Sequence, residues 1–183
     1  MYTLFESICV QDAQLLHAKW HKLRFEQAYQ TLFNKTPPFD LLDPFDIPKK
    51  YCSGTVKLKI LYNENSRVIH FQHYKMKIVH SLKIQTTEDL DYSLKYSKRK
   101  SLEDLFSRRG NCDDILIIKK GKITDSSYAN IIFFDGQDWL TPELPLLKGT
   151  CRARLLEQGF IQEALLGLED LKRFQGLKLI NAM

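Results

Sequence analysis

The sequence predicts an α+β chain of two lobes, a small α+β lobe over residues 1–90 and a larger β-rich lobe over 91–183. Three observations carry this. Strand-like and helix-like periodicities alternate along the first half. A polar, acidic stretch at 87–93 interrupts the apolar runs and marks the boundary. Beyond it, short β-rich runs separated by turn residues dominate, with only brief helical patterns.

Residues 2–10 hold Leu4, Phe5, Ile8 and Val10 and read as a strand. Asp12 stands where a helix cap belongs. Leu16, Trp20 and Leu23, then Phe25, Ala28, Tyr29 and Leu32, predict a helix over 13–33. Four prolines between residues 35 and 50 make that stretch loop or broken helix. The alternating run Thr55–Tyr62 is a strand, and 68–79 is a second after a turn at 63–65; residues 82–86 add a third. Ser101 followed by Asp104 resembles a capping box and opens a helix. Strands are expected at Asp114–Lys119, 129–134 and 177–180, with a hairpin turn at Asp135-Gly136. Short helices are expected at 150–158, closed by Gly159, and at 169–174, closed by Gly176.

With 44% hydrophobic and 11% aromatic residues the chain can bury a core. No run approaches the roughly 20 apolar residues of a membrane helix. The start lacks a basic region and carries Glu6 and Asp12, which speaks against a signal peptide. The four cysteines are scattered with no C-x-x-C pair, so no metal site is expected. Reduced thiols and a cytoplasmic protein fit this usage. The net charge of +5 suits a solvated surface, a phosphate cofactor or an anionic metabolite. Basic runs at 95–100 and 119–122 accompany no nucleic-acid-binding motif, so no nucleic-acid partner is expected.

Four local patterns follow one another in an order that suggests one site. They are His21-x-x-Arg24 on the long helix; Lys95 with Lys98 and Arg99 before a helix; Gly121-x-x-Thr124-Asp125 running to Asn130; and Gly149-Thr150-Cys151-Arg152 entering a helix. Taken singly, each has a plain structural explanation: a solvated basic run, a turn, a helix-face cation, a cap. Together they supply an amine nucleophile, an acid and two phosphate-binding elements.

In order and spacing these patterns resemble the class IV aminotransferase and 4-amino-4-deoxychorismate lyase superfamily, the fold-type IV pyridoxal phosphate enzymes. Phe5-Glu6-Ser7 is similar to the family's F-E-T segment. The resemblance implies a two-lobe fold like that of D-amino-acid aminotransferase, with pyridoxal 5'-phosphate as cofactor. It makes Lys95 the Schiff-base lysine and catalytic acid/base, and Arg24 a grip on the cofactor phosphate. Asp125 falls at the acid that meets the pyridine nitrogen, with Asn130 beside it. Gly149, Thr150 and Cys151 fall at the phosphate-binding helix entry. Arg99 and Asn181 fall at substrate-binding positions. Members of the family pair as homodimers. If Lys98 and Arg99 lie near Lys95, their charge lowers its pKa.

The chain departs from the family in having Asp125 for glutamate, Lys98 for asparagine and Cys151 for threonine. It also begins and ends within the span of typical members, which implies a compact variant with an open substrate pocket. Arg99 occupies an arginine position of some lyases, and Lys98 and Arg99 suit a dicarboxylic substrate. The expected activity is therefore lyase-like, eliminating pyruvate to give p-aminobenzoate, a step of folate biosynthesis. The alternatives are a class IV aminotransferase of branched-chain or D-amino acids, and a degenerate, non-catalytic binding protein.

Overall fold

A computed structural model describes residues 3–183; Met1 and Tyr2, where the first expected strand begins, lie outside the described residues. The chain forms two compact units, but not by a single cut near residue 90. One unit takes residues up to 77, then 94–98 and 182–183; the other takes 78–93 and 99–181. The division is discontinuous because residues 94–98 pair with the edge of the first strand: Phe5 N–H donates to the Lys95 carbonyl, and Ser97 N–H to the Thr3 carbonyl.

In the first unit, β1 (Leu4–Gln11) turns tightly into β2 (Gln14–Leu15), and α1 follows at Ala18–Phe33. The helix expected from residue 13 thus starts five residues later. Asp12 and Ala13 both take positive φ, 49° and 64°, and make a hairpin turn instead of a cap. The Asp12 carboxylate accepts a hydrogen bond from Gly54 N–H. Asn34, left-handed at φ 53°, ends α1 by donating its N–H to the Gln30 carbonyl. The proline-rich stretch holds only a 3₁₀ turn, Lys49–Tyr51.

β3 (Thr55–Tyr62) pairs antiparallel with both β1 and β4 (Arg67–His73), giving a sheet ordered β2-β1-β3-β4. Strand β4 stops six residues before the expected end; after Tyr74 the backbone leaves the ladder. Burial alternates strictly along β3. Leu4, Ile8, Val10, Val56, Leu58, Ile60 and Tyr62 face one way and are fully buried with Phe25, Ala28 and Tyr29 of α1. Each such aliphatic side chain contributes about 1.5–3 kcal/mol on burial. Phe25 packs edge-on against Tyr62 with ring centroids 4.9 Å apart.

In the second unit, β5 (Leu82–Thr87) runs parallel to β6 (Asp114–Lys119), with α2 (Lys100–Ser107) between them in sequence. Helix α2 begins one residue before Ser101, and no side chain caps it. β7 (Lys122–Ile123) pairs antiparallel with β6. A second sheet, ordered β10-β9-β8-β11, holds β8 (Asn130–Phe134), β9 (Trp139–Pro142), β10 (Gln162–Ala164) and β11 (Gly176–Ile180). The β8–β9 turn is the expected one: Gly136 takes φ 106°, and the Asp135 carboxylate accepts from Gln137 and Asp138 N–H. α3 occupies Thr150–Glu157. The last expected helix is a 3₁₀ segment, Leu168–Arg173. Leu116, Ile118, Ile123, Ile131, Phe133 and Leu166 form the core between the strands. Among the described residues no helix is long and apolar enough to cross a membrane.

Candidate active site

Lys95 lies at the edge of β1. The antiparallel bridge between Leu4 and Tyr96 sets Lys95 across from Phe5. Paired residues of an antiparallel ladder share a face, so Lys95 projects with Phe5, and Tyr96 with Leu4 toward the core. Lys95 Nζ sits 4.7 Å from the centre of the Phe5 ring. A second cation, Lys59 Nζ, lies 4.8 Å from the same ring.

Arg24 lies on the sheet's other face. Its Nε donates to Glu6 Oε1 at 2.8 Å, and its Nη2 donates to Glu6 Oε2. His21 Nδ1 is 2.7 Å from Glu6 Oε2; the carboxylate can only accept, so the ring donates. Glu6 and His21 are 0% and 1% exposed. Burial alone raises the Glu6 carboxyl, but the Arg24 charge and the bonds from His21 and Arg24 outweigh it and hold it at about 2. Burial, with Glu6 nearby, pushes the Tyr62 phenol up. The expected phosphate grip is therefore a guanidinium oriented by Glu6, a residue that site reasoning passed over. The signal was there: Glu6 falls in phase with Leu4, Ile8 and Val10.

In the second unit, Asp125 is buried and bridged to Asn130. Asn130 Nδ2 donates to Asp125 Oδ1 at 2.7 Å and to the Leu147 carbonyl at 2.8 Å; Leu147 N–H donates to Asp125 Oδ2 at 2.9 Å. Burial pushes the Asp125 carboxyl up to about 6, against the pull of these bonds and of Arg152. Two residues past Leu147, Gly149 opens α3 without a side-chain cap. The first-turn N–H groups of a helix have no intrahelical acceptor and suit an anion. Gly149 is required there, because a Cβ would lie 2.0 Å from Asn130 Oδ1. Thr150 is buried at this entry. Cys151 is partly buried, which raises its thiol. Arg152, unassigned by sequence reasoning, donates to the Pro142 carbonyl at 2.8 Å and to Glu163 at 2.6 Å, anchoring the helix start.

Arg99, expected at substrate, donates to the Ser127 carbonyl and lies over the Tyr92 ring at 5.5 Å. The cation that shares a ring with Lys95 is Lys59, not Arg99. Asn181 follows directly on β11 and is partly buried.

Within the second unit, a buried carboxyl and a helix entry cleared by a glycine share Asn130. The amino-transferase class IV family model matches residues 3–183. A protein of Haemophilus influenzae with no assigned function is 38% identical over 100% of this chain and 98% of its own length. The crystal structure of a candidate 4-amino-4-deoxychorismate lyase from Haemophilus somnus is 35% identical with a TM-score of 0.87, covering 100% of this chain and 97% of that one. The branched-chain amino acid aminotransferase of Escherichia coli shares the fold at 13% identity, with a TM-score of 0.75 over 99% of this chain and 73% of that one.

Proposed function

Because the chain belongs to the amino-transferase class IV family, we propose that it is a pyridoxal phosphate enzyme acting on an amino-acid-like substrate. The observation that carries this reading is the shared frame of Asp125 and the α3 entry. Asn130 bonds Asp125, bonds the Leu147 carbonyl and fills the space beside Gly149, so the acid and the anion cradle are fixed to each other.

Bound there, the cofactor would supply an electron sink for charge developing at the substrate Cα. Lys95 would hold the cofactor through its ε-amine and would be the acid/base for the proton at the substrate Cα. Asp125 would face the ring nitrogen; a carboxyl raised by burial ionises more readily when a cation faces it. Thr150 and Cys151 N–H would receive the phosphate, and Arg24, oriented by Glu6, would add positive charge.

The activity proposed is lyase-like: proton removal at Cα followed by elimination of pyruvate from an aminodeoxychorismate-type substrate. The Haemophilus somnus relative supports it over amino transfer to a keto acid. Homodimeric assembly and a cytoplasmic location belong to the same reading.

The test is covalent capture. Protein incubated with pyridoxal phosphate is reduced with borohydride and mapped by mass spectrometry. The label belongs on Lys95 and disappears in Lys95→Ala. Label elsewhere, or none, refutes the site. In a parallel sample loaded with the cofactor and left unreduced, pyruvate release without a keto-acid acceptor marks the lyase. Acceptor-dependent turnover marks the aminotransferase. Capture without either marks a non-catalytic binder.

A further inference from the structure

The sheet face that carries Lys95 has a charge pattern the core face lacks. Register across β1, β3 and β4 sets Phe5 beside Leu61 and Val68, Ser7 beside Lys59 and His70, and Cys9 beside Lys57 and Gln72. No carboxylate occupies any of these positions, whereas the opposite face carries Glu6. Lys57, Lys59 and Leu61 are half-buried, and Phe5 is 6% exposed.

Phe5 organises the cations. Lys95 reaches its ring from the β1 edge, at 4.7 Å, and Lys59 reaches it from β3, at 4.8 Å. The electron-rich ring face attracts both ammonium groups and holds them in place. Partial burial strengthens the field of Lys59 beyond that of a fully solvated lysine. The α-carboxylate of an amino acid would neutralise one positive charge on this face. The second cation on this face, Lys59, suits a second carboxylate.

We propose that Lys59 recognises a carboxylate of the substrate processed at Lys95, and that this face selects dicarboxylic over monocarboxylic substrates. The inference rests on the cofactor reading in one respect, that Lys95 is the reactive amine. It gives to Lys59 the substrate-recognition role that the sequence suggested for Arg99, whose guanidinium bonds the Ser127 carbonyl.

The test uses glutarate as a dicarboxylate and butyrate as a monocarboxylate. Both are titrated calorimetrically into cofactor-treated wild type, Lys59→Met and Lys59→Arg. Lys59→Met should weaken glutarate roughly tenfold, the loss of one favourable charge-assisted contact, and butyrate far less. Lys59→Arg should keep the preference and shows that the position tolerates substitution. Equal affinities across all three proteins, or equal weakening of both ligands, would overturn the inference. Borohydride labelling of the same samples reports on Lys95 separately. If Lys95 is unlabelled, the cofactor reading falls, while the glutarate–butyrate contrast still decides whether Lys59 holds a carboxylate.

Discussion

Glu6 and Arg24 meet in a two-bond fork on the helix-facing side of the first sheet, with His21 donating to the same carboxylate. Removing one partner of a buried pair leaves the other charge uncompensated, at a cost of about 3–5 kcal/mol. Arg24→Ala should lower the unfolding free energy by that amount in urea denaturation. Replacing both with leucine should cost much less. A near-neutral Arg24→Ala would mean that water reaches Glu6.

The same carboxyl sets an acid limit. Its folded value of about 2 lies below the ordinary 4.5, so the ionised form is favoured by folding. That stabilisation is complete above pH 4.5 and is lost as the pH falls toward 2. Urea midpoints measured across this interval should fall more steeply for wild type than for the Glu6→Leu/Arg24→Leu double variant.

Asp125 has the opposite sign. Its folded value of about 6 lies above the ordinary 3.8, so ionisation costs stability, fully above pH 6 and not at all below 3.8. Asp125→Asn lacks that titration, but it sets an amide against the Asn130 amide and should be less stable than wild type throughout. The gap between the two should narrow as the pH rises from 4 to 6. A gap independent of pH would show that Asp125 does not titrate there.

Gly149→Ala should force Asn130 aside and break its bonds to Asp125 and Leu147. A loss of roughly 2 kcal/mol is expected from unsatisfied buried groups. Asn130→Ala removes the same bonds, so the double variant should cost clearly less than the sum of the singles. Strict additivity would show that the two positions act independently.

Where one face of an element is buried, the sequence was readable. Thr55–Tyr62 alternates at every residue, and residues 115–118 are apolar throughout because both faces of that strand are covered. The start of α1 was misread because Asp12 is at home both in a cap and in a left-handed turn; φ at Asp12 and Ala13 decided for the turn. β10 was invisible, being three residues long and paired in parallel with β9 twenty-two residues earlier. The site motifs could be located along the chain, but their partners could not. Nothing local in the sequence ties Glu6 to Arg24, Leu147 to Asp125, or Lys59 to Phe5.

The edge segment at residues 94–98 has a consequence for synthesis. A nascent chain emerging from the ribosome displays β1, α1, β3 and β4 long before its Lys95 segment appears. Until then the Leu4–Phe5 border of β1 lacks its hydrogen-bonding partner, and such borders invite association with other strands. Translational pausing just before residue 98 should therefore enhance aggregation or chaperone capture, and moving the pause a few dozen codons downstream, once the segment has cleared the exit tunnel, should relieve it.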